Sequence, residues 1–130
     1  MHHKEILSTD QAPAAVGPYS QAVRTGGLVF CSGQIGLDPA TGLVVPGGVA
    51  EQAEQVLQNV KAVLAAAGCG PADVVKATCF LRDMADFATF NQVYARHFSG
   101  DFPARSCVAV LGLPKDVLVE VEVIAATPNS

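Results

Sequence analysis

Residues 102–122 read FPARSCVAVLGLPKDVLVEVE, and their reading decides the fold. Ala104 to Leu111 alternate on a period of two, as do Val117 to Ile124. Both runs are rich in Val, Ile and Leu, so each predicts a strand. Gly112 to Asp116 between them reads as a turn. An antiparallel hairpin centred near Pro114 sets Cys107 opposite Glu120 and Arg105 opposite Glu122, because opposed residues keep a nearly constant number sum. One face then carries a guanidinium, a thiol and two carboxylates in otherwise apolar strands, where charge is costly unless paired. That face is a site candidate. An exposed edge hairpin with a cross-strand Arg–Glu pair has the same pattern and is the plainer reading, since charged sheet faces are usually solvated. A bulge in the turn would shift the register by one residue and undo the shared face.

Upstream, Asp83 or Asp86 is placed to cap a helix in which Phe87, Phe90, Tyr94 and Phe98 recur at helical spacing. The aromatic stripe reads as core, Asn91 beside it as a polar helix residue, and His97 as a lone, partly buried histidine. Asp73 to Arg82 alternates again, with Val75, Ala77, Cys79 and Leu81 on one face, and predicts a central or near-central strand. Val49 to Ala67 keeps its apolar residues at helical spacing and stops at Gly68. Ser20–Arg24 and Leu28–Ser32 flank Thr25-Gly26-Gly27 as a hairpin. The second run ends in Ser32-Gly33-Gln34, which is ordinarily a bend, although Ser before Gly also offers a ligand a hydroxyl and a closely approaching N–H. Ala12 to Tyr19, broken by Pro and Gly, reads as an extended lead-in.

The order strand, strand, helix, strand, helix, strand, strand predicts an α+β fold, a mixed sheet with two helices packed on one face. No residues remain to cover the other face, so a second copy of the chain is its simplest cover. The 130 residues suffice for a single domain, 1–130, with a real core. Half the residues are hydrophobic and only 15% charged, a balance that also suits subunit contact. A net charge of -4 with scattered Lys and Arg argues against nucleic acid. Cys31, Cys69, Cys79 and Cys107 have no C-x-x-C spacing and read as free thiols of a reducing cytoplasm. No apolar run reaches the roughly 18 residues of a membrane span. His2, His3 and His97 are the only histidines and make no ligand set, so no metal is expected.

Several blocks together resemble the reactive intermediate deaminases, the RidA or YjgF family. They are APAAVGPYSQ at 12–21, Ser32-Gly33-Gln34, FATFN at 87–91, FPARSC at 102–107 and LVEVE at 118–122. The resemblance implies a fold similar to the small chorismate mutases: a homotrimer whose sheets line a central barrel, with clefts between subunits. It implies hydrolysis of 2-imino acids and their enamine tautomers to 2-oxo acids and ammonia, with no cofactor. On the matched motifs, Arg105 is expected to clamp the substrate carboxylate and Glu120 to handle water, with Cys107 as their neighbour. Tyr19, Ser32, Gly33 and Asn91 are expected to line the same cleft. The segment between Phe98 and Phe102 is short for the family, which bears on the cleft rim. Arg suits a planar carboxylate because its planar fork binds two oxygens at once. A carboxyl in an apolar strand has a raised pKa, which suits Glu120 to exchange protons near neutrality. With no His beside it, Cys107 reads as a packing and contact residue rather than a nucleophile. Two other functions compete on the same residues: ribonuclease, and a non-catalytic trimer that binds small 2-oxo acids or a protein.

Overall fold

The computed structural model describes residues 3–98 and 100–128; His2 and Ser99 lie outside the described residues. In chain order its elements are β1 Glu5–Leu7, β2 Ala22–Thr25, β3 Leu28–Cys31, α1 Val49–Ala66, β4 Val74–Leu81, α2 Phe87–His97, β5 Ala104–Ala109 and β6 Val119–Ala126. The strands make one mixed sheet in the order β1-β2-β3-β6-β4-β5. Both helices pack on one of its faces. The α+β expectation therefore holds, with β1 as an addition. Three residues are too short to show a period. β1 is identified by pairing with β2 and by the Glu5–Arg24 ion pair at 3.0 Å.

The predicted hairpin does not form. β4 lies between β5 and β6, parallel to the first and antiparallel to the second. Sequential parallel strands require a crossover, and α2 supplies it between β4 and β5. The link from β5 to β6 straddles the end of β4. Val110 N–H donates to Leu81 O at 2.9 Å and Arg82 N–H to Leu118 O at 3.0 Å. Strands flanking a third lie about 10 Å apart, beyond a two-residue turn but within reach of this longer link. The link contains a 3-10 turn at Pro114–Asp116.

One core is shared by the helices and the sheet face beneath them. Leu57, Val60 and Leu64 of α1 and Phe90 and Val93 of α2 meet Ala77, Cys79, Leu81, Val119, Val121 and Val123. Fully burying each large aliphatic side chain contributes roughly 1.5–3 kcal/mol. Val75 is the exception to the predicted alternation. A register shift between Val74 and Lys76 turns Val74 inward and leaves Val75 48% exposed. His97 is not lone either, since its Nε2 lies 2.8 Å from Glu54 Oε1.

The second face carries Ile6, Val23, Phe30, Phe80, Val108 and Ile124 among polar residues, with Ile6 55% and Phe30 41% exposed. No helix of the described residues covers it.

Candidate functional site

Strand register assigns each predicted site residue to a face. Arg105 is paired with Ala77 and Cys107 with Cys79, and both β4 partners are wholly buried beneath the helices. Register partners share a face, so Arg105 and Cys107 emerge on the helix side. Glu120 is paired with Phe80 and Glu122 with Thr78, one residue out of phase, and both carboxylates emerge on the open side. The sheet therefore separates Arg105 and Cys107 from Glu120 and Glu122. The expected shared face fails because β4 rather than a turn sets the register: Arg105 aligns through Ala77 with Val123 and Cys107 through Cys79 with Val121, one residue off the pairing of a hairpin centred near Pro114.

On the helix side, the end of the sheet and α2 build a cradle for Arg105. Its Nη1 donates to Asn91 Oδ1 at 2.7 Å. Its guanidinium carbon lies 4.8 Å from the centre of the Tyr94 ring and 5.5 Å from that of Phe87. No carboxylate among the described residues pairs with it. Cys107 is half-buried beside this cradle, and burial raises its thiol pKa against a smaller opposing pull from Arg105. The thiol is thus held protonated rather than activated.

On the open side, an indented groove of about 990 Å³ is lined by Tyr19, Ser32, Gly33, Gln34, Glu120 and Glu122, with apolar walls from Val16, Phe30 and Ile35. Its floor is shaped by a local irregularity. Phe30 pairs with Ile124 and Gln34 with Val121, so between these pairs Cys31, Ser32 and Gly33 on one side oppose only Glu122 and Val123 on the other. Bulged strands re-aim side chains in this way. Gly33 comes to rest against Glu120: a β-carbon there would overlap the carboxylate Oε2 and lie 3.0 Å from Cδ. The strand-end glycine is needed for close approach of a side chain, a stricter role than a bend. Ser32 Oγ donates to Ser20 O at 2.6 Å and Ser32 N–H to Gln21 O at 2.9 Å, which fastens the segment bearing Tyr19 to the sheet.

Gln21, only 4% exposed, completes that fastening and was not singled out by the sequence. Its amide accepts from Thr9 N–H at 2.7 Å and donates to Thr9 O and Pro13 O. A Gln beside Pro-rich chain is a weak sign of this, because amide hydrogen bonds to backbone have no sequence periodicity. Glu120 accepts no hydrogen bond from a described residue. Its pKa is raised, first by burial and second by the charge of Glu122. A carboxyl so placed takes and releases a proton nearer neutrality than an exposed one.

The chemistry available is thus split in two: a cation with free donors on one face, and a carboxyl of raised pKa in a groove on the other. Among the described residues, no cluster of His, Cys, Asp or Glu is arranged to hold a metal ion. No helix among them is long and apolar enough to cross a membrane.

Comparison with known proteins places this geometry. Residues 9–127 match the family described as endoribonuclease L-PSP. A protein of Bos taurus named 2-iminobutanoate/2-iminopropanoate deaminase is 53% identical over 122 residues, covering 94% of this chain and 89% of its own. The crystal structure of RidA from the Antarctic bacterium Psychrobacter sp. superposes with a TM-score of 0.91 at 48% identity, covering 94% of this chain and 98% of that one. E. coli TdcF, solved with bound serine, superposes with a TM-score of 0.90 at 47% identity, covering 95% and 99%.

Proposed function

The chain belongs to the family of endoribonuclease L-PSP and the RidA/YjgF deaminases, and from that premise we propose that it hydrolyses 2-imino acids and their enamine tautomers, such as 2-iminobutanoate and 2-iminopropanoate, to 2-oxo acids and ammonia, without cofactor or metal. The observation that carries the reading is Arg105, a guanidinium held by Asn91 and two rings with no carboxylate of the described residues against it. An arginine so arranged is ready for a carboxylate from outside the chain.

Glu120 supplies the proton chemistry. A protonated imine is a strong electrophile, so orientation, a placed water and proton transfer suffice. Glu120 takes a proton from water as its oxygen bonds to the imine carbon. The proton then passes to nitrogen, and as the C–N bond breaks with its electron pair leaving on ammonia, the hydroxyl gives its remaining proton to the freed Glu120 carboxylate and the carbonyl forms; Glu120 then passes that proton to the ammonia. Tyr19, Ser32 and Gly33 line the groove in which this occurs, and Cys107 and Asn91 accompany Arg105.

One copy cannot apply both residues to one small substrate, because the sheet lies between them. We assign each site to two copies, Arg105 from one and Glu120 from its neighbour, in a homotrimer whose open sheet faces meet at a central barrel. The groove is far larger than a small imino acid, which leaves room for a neighbouring subunit's wall.

The test is turnover with subunit mixing. Catalytic amounts of the protein should speed ammonia release in a threonine dehydratase reaction. Arg105→Ala should abolish turnover and 2-oxo acid binding, and Glu120→Gln should lower turnover by roughly 10²-fold at nearly unchanged product affinity. Unfolding and reassembling the two variants together should restore part of the activity, since some interfaces then combine an intact Arg105 with an intact Glu120. No recovery in verified mixed oligomers would refute the two-copy site.

Bound serine in TdcF favours a second reading, a module that binds small amino or 2-oxo acids without turning them over. Binding of 2-oxobutanoate with no acceleration of ammonia release would select it. Cleavage of RNA is disfavoured by the groove's own carboxylates, Glu120 and Glu122, which repel phosphates.

A further inference from the structure

Phe87, Asn91 and Tyr94 recur along α2 at i, i+4 and i+7, a spacing that brings all three onto one narrow helix face. That face meets the side chain of Arg105. Asn91 Oδ1 takes one N–H of the guanidinium, while the two rings lie 4.8 Å and 5.5 Å from its carbon. Tyr94 is 4% exposed, and its hydroxyl has no hydrogen-bond partner among the described residues. A buried tyrosine hydroxyl ordinarily finds a partner. At this position the ring rather than the hydroxyl has the contact.

The physical consequence concerns how a half-buried cation is kept available. A carboxylate neighbour would stabilise Arg105 but occupy the donors with which it must bind a ligand. An aromatic ring attracts the cation through the negative potential of its face. The in-plane N–H edge of the guanidinium stays free. Asn91 is neutral and takes only one donor, so it sets the rotation of the fork without neutralising it.

We infer that Phe87 and Tyr94 are positioning residues of the proposed site: their ring faces replace a counter-ion for Arg105, so that its donor edge is reserved for the carboxylate of a 2-imino or 2-oxo acid. The inference rests on the assignment of Arg105 as carboxylate clamp and adds what makes that clamp selective.

The experiment measures binding of 2-oxobutanoate and of its neutral amide, 2-oxobutanamide, to the assembled protein. Replacing Tyr94 by Leu, or the half-exposed Phe87 by Leu, should weaken 2-oxobutanoate by about 10-fold and leave 2-oxobutanamide within about twofold. Tyr94→Phe should restore the parent affinity, because the face is kept. A merely structural role would weaken both ligands together. If Tyr94→Leu disturbs assembly, Phe87→Leu, outside the buried core, carries the test. Unchanged 2-oxobutanoate affinity in Phe87→Leu, with Arg105→Ala losing it, would overturn the ring inference and leave the clamp standing. Unchanged affinity in Arg105→Ala would overturn the clamp and this inference with it. Loss in Tyr94→Phe equal to that in Tyr94→Leu would assign the effect to the hydroxyl and refute the ring.

Discussion

The Arg105 cradle and the Glu120 groove show two ways of holding a charge at the border of an apolar sheet. Arg105 is held by one amide oxygen and two ring faces. Glu120 has no donor among the described residues and lies against a glycine and near a second carboxylate. The first arrangement keeps a permanent charge in one orientation. The second makes the charge itself conditional on pH. Binding needs the former and proton transfer the latter, so on the proposed assignment the contrast is a division of labour between the two faces of one sheet.

Gly33→Ala is the most severe way to break this contrast. The new methyl overlaps the end of a flexible side chain, so the fold should survive while the carboxylate swings away. Turnover should fall by roughly 10²-fold, as expected for misplacement of a reacting group by about 1 Å. Affinity for a 2-oxo acid, which the proposal assigns to Arg105, should hardly move. Steady-state kinetics beside product titration checks this, and a parallel loss of both would mean that the two regions are not separable.

A smaller effect sharpens the electrostatic half of the comparison. The pKa of Glu120 is raised on folding by burial and by Glu122. Stability linked to it is therefore fully present below the ordinary carboxylate range and is lost as pH rises through the raised folded value. Glu120→Gln removes that loss. Its Tm should exceed the parent's at pH 7 and match it near pH 4, as read by thermal melts at both pH values. A higher Tm of equal size at both pH values would show that ionisation is not the cause.

The smallest effect is expected at Cys107. Its thiol lies beside Arg105, but burial raises its pKa and keeps it protonated. Cys107→Ala should retain turnover within about threefold, an outcome measured with the same ammonia assay. A loss as large as that of Glu120→Gln would make the thiol a participant in the chemistry and end the simple split between a binding face and a proton-transfer face.

Much of this was legible along the chain. Periodicity located α1, α2, the β2–β3 hairpin and the strand at β4. The same alternation marks Ala104 to Leu111 and Val117 to Ile124 as strands, which the structure sets at Ala104–Ala109 and Val119–Ala126, and picks out Arg105 and Glu120 as charges in apolar surroundings. The polar residues around Gly33 were visible as a strand end, and the aromatic stripe of α2 as a buried face. These are local properties: side-chain direction repeats at 2.0 residues in a strand and about 3.6 in a helix, whatever the neighbours are.

Which strands are neighbours is not local. Alternation states that a strand has two faces and is silent on what pairs with its edges, so the runs 104–111 and 117–124 read as a hairpin although β4 separates the strands they form. Pairing through that strand sets a register one residue off the predicted hairpin, and this puts Arg105 and Glu120 on opposite faces rather than a common one. The same tertiary arrangement brought Phe87 and Tyr94 under Arg105 and Gly33 against Glu120. The sequence alone thus determined which segments are strands and helices and which side chains stand out from them. Pairing across distant segments, settled by hydrogen bonding and burial of the whole sheet at once, decided which of those side chains can meet.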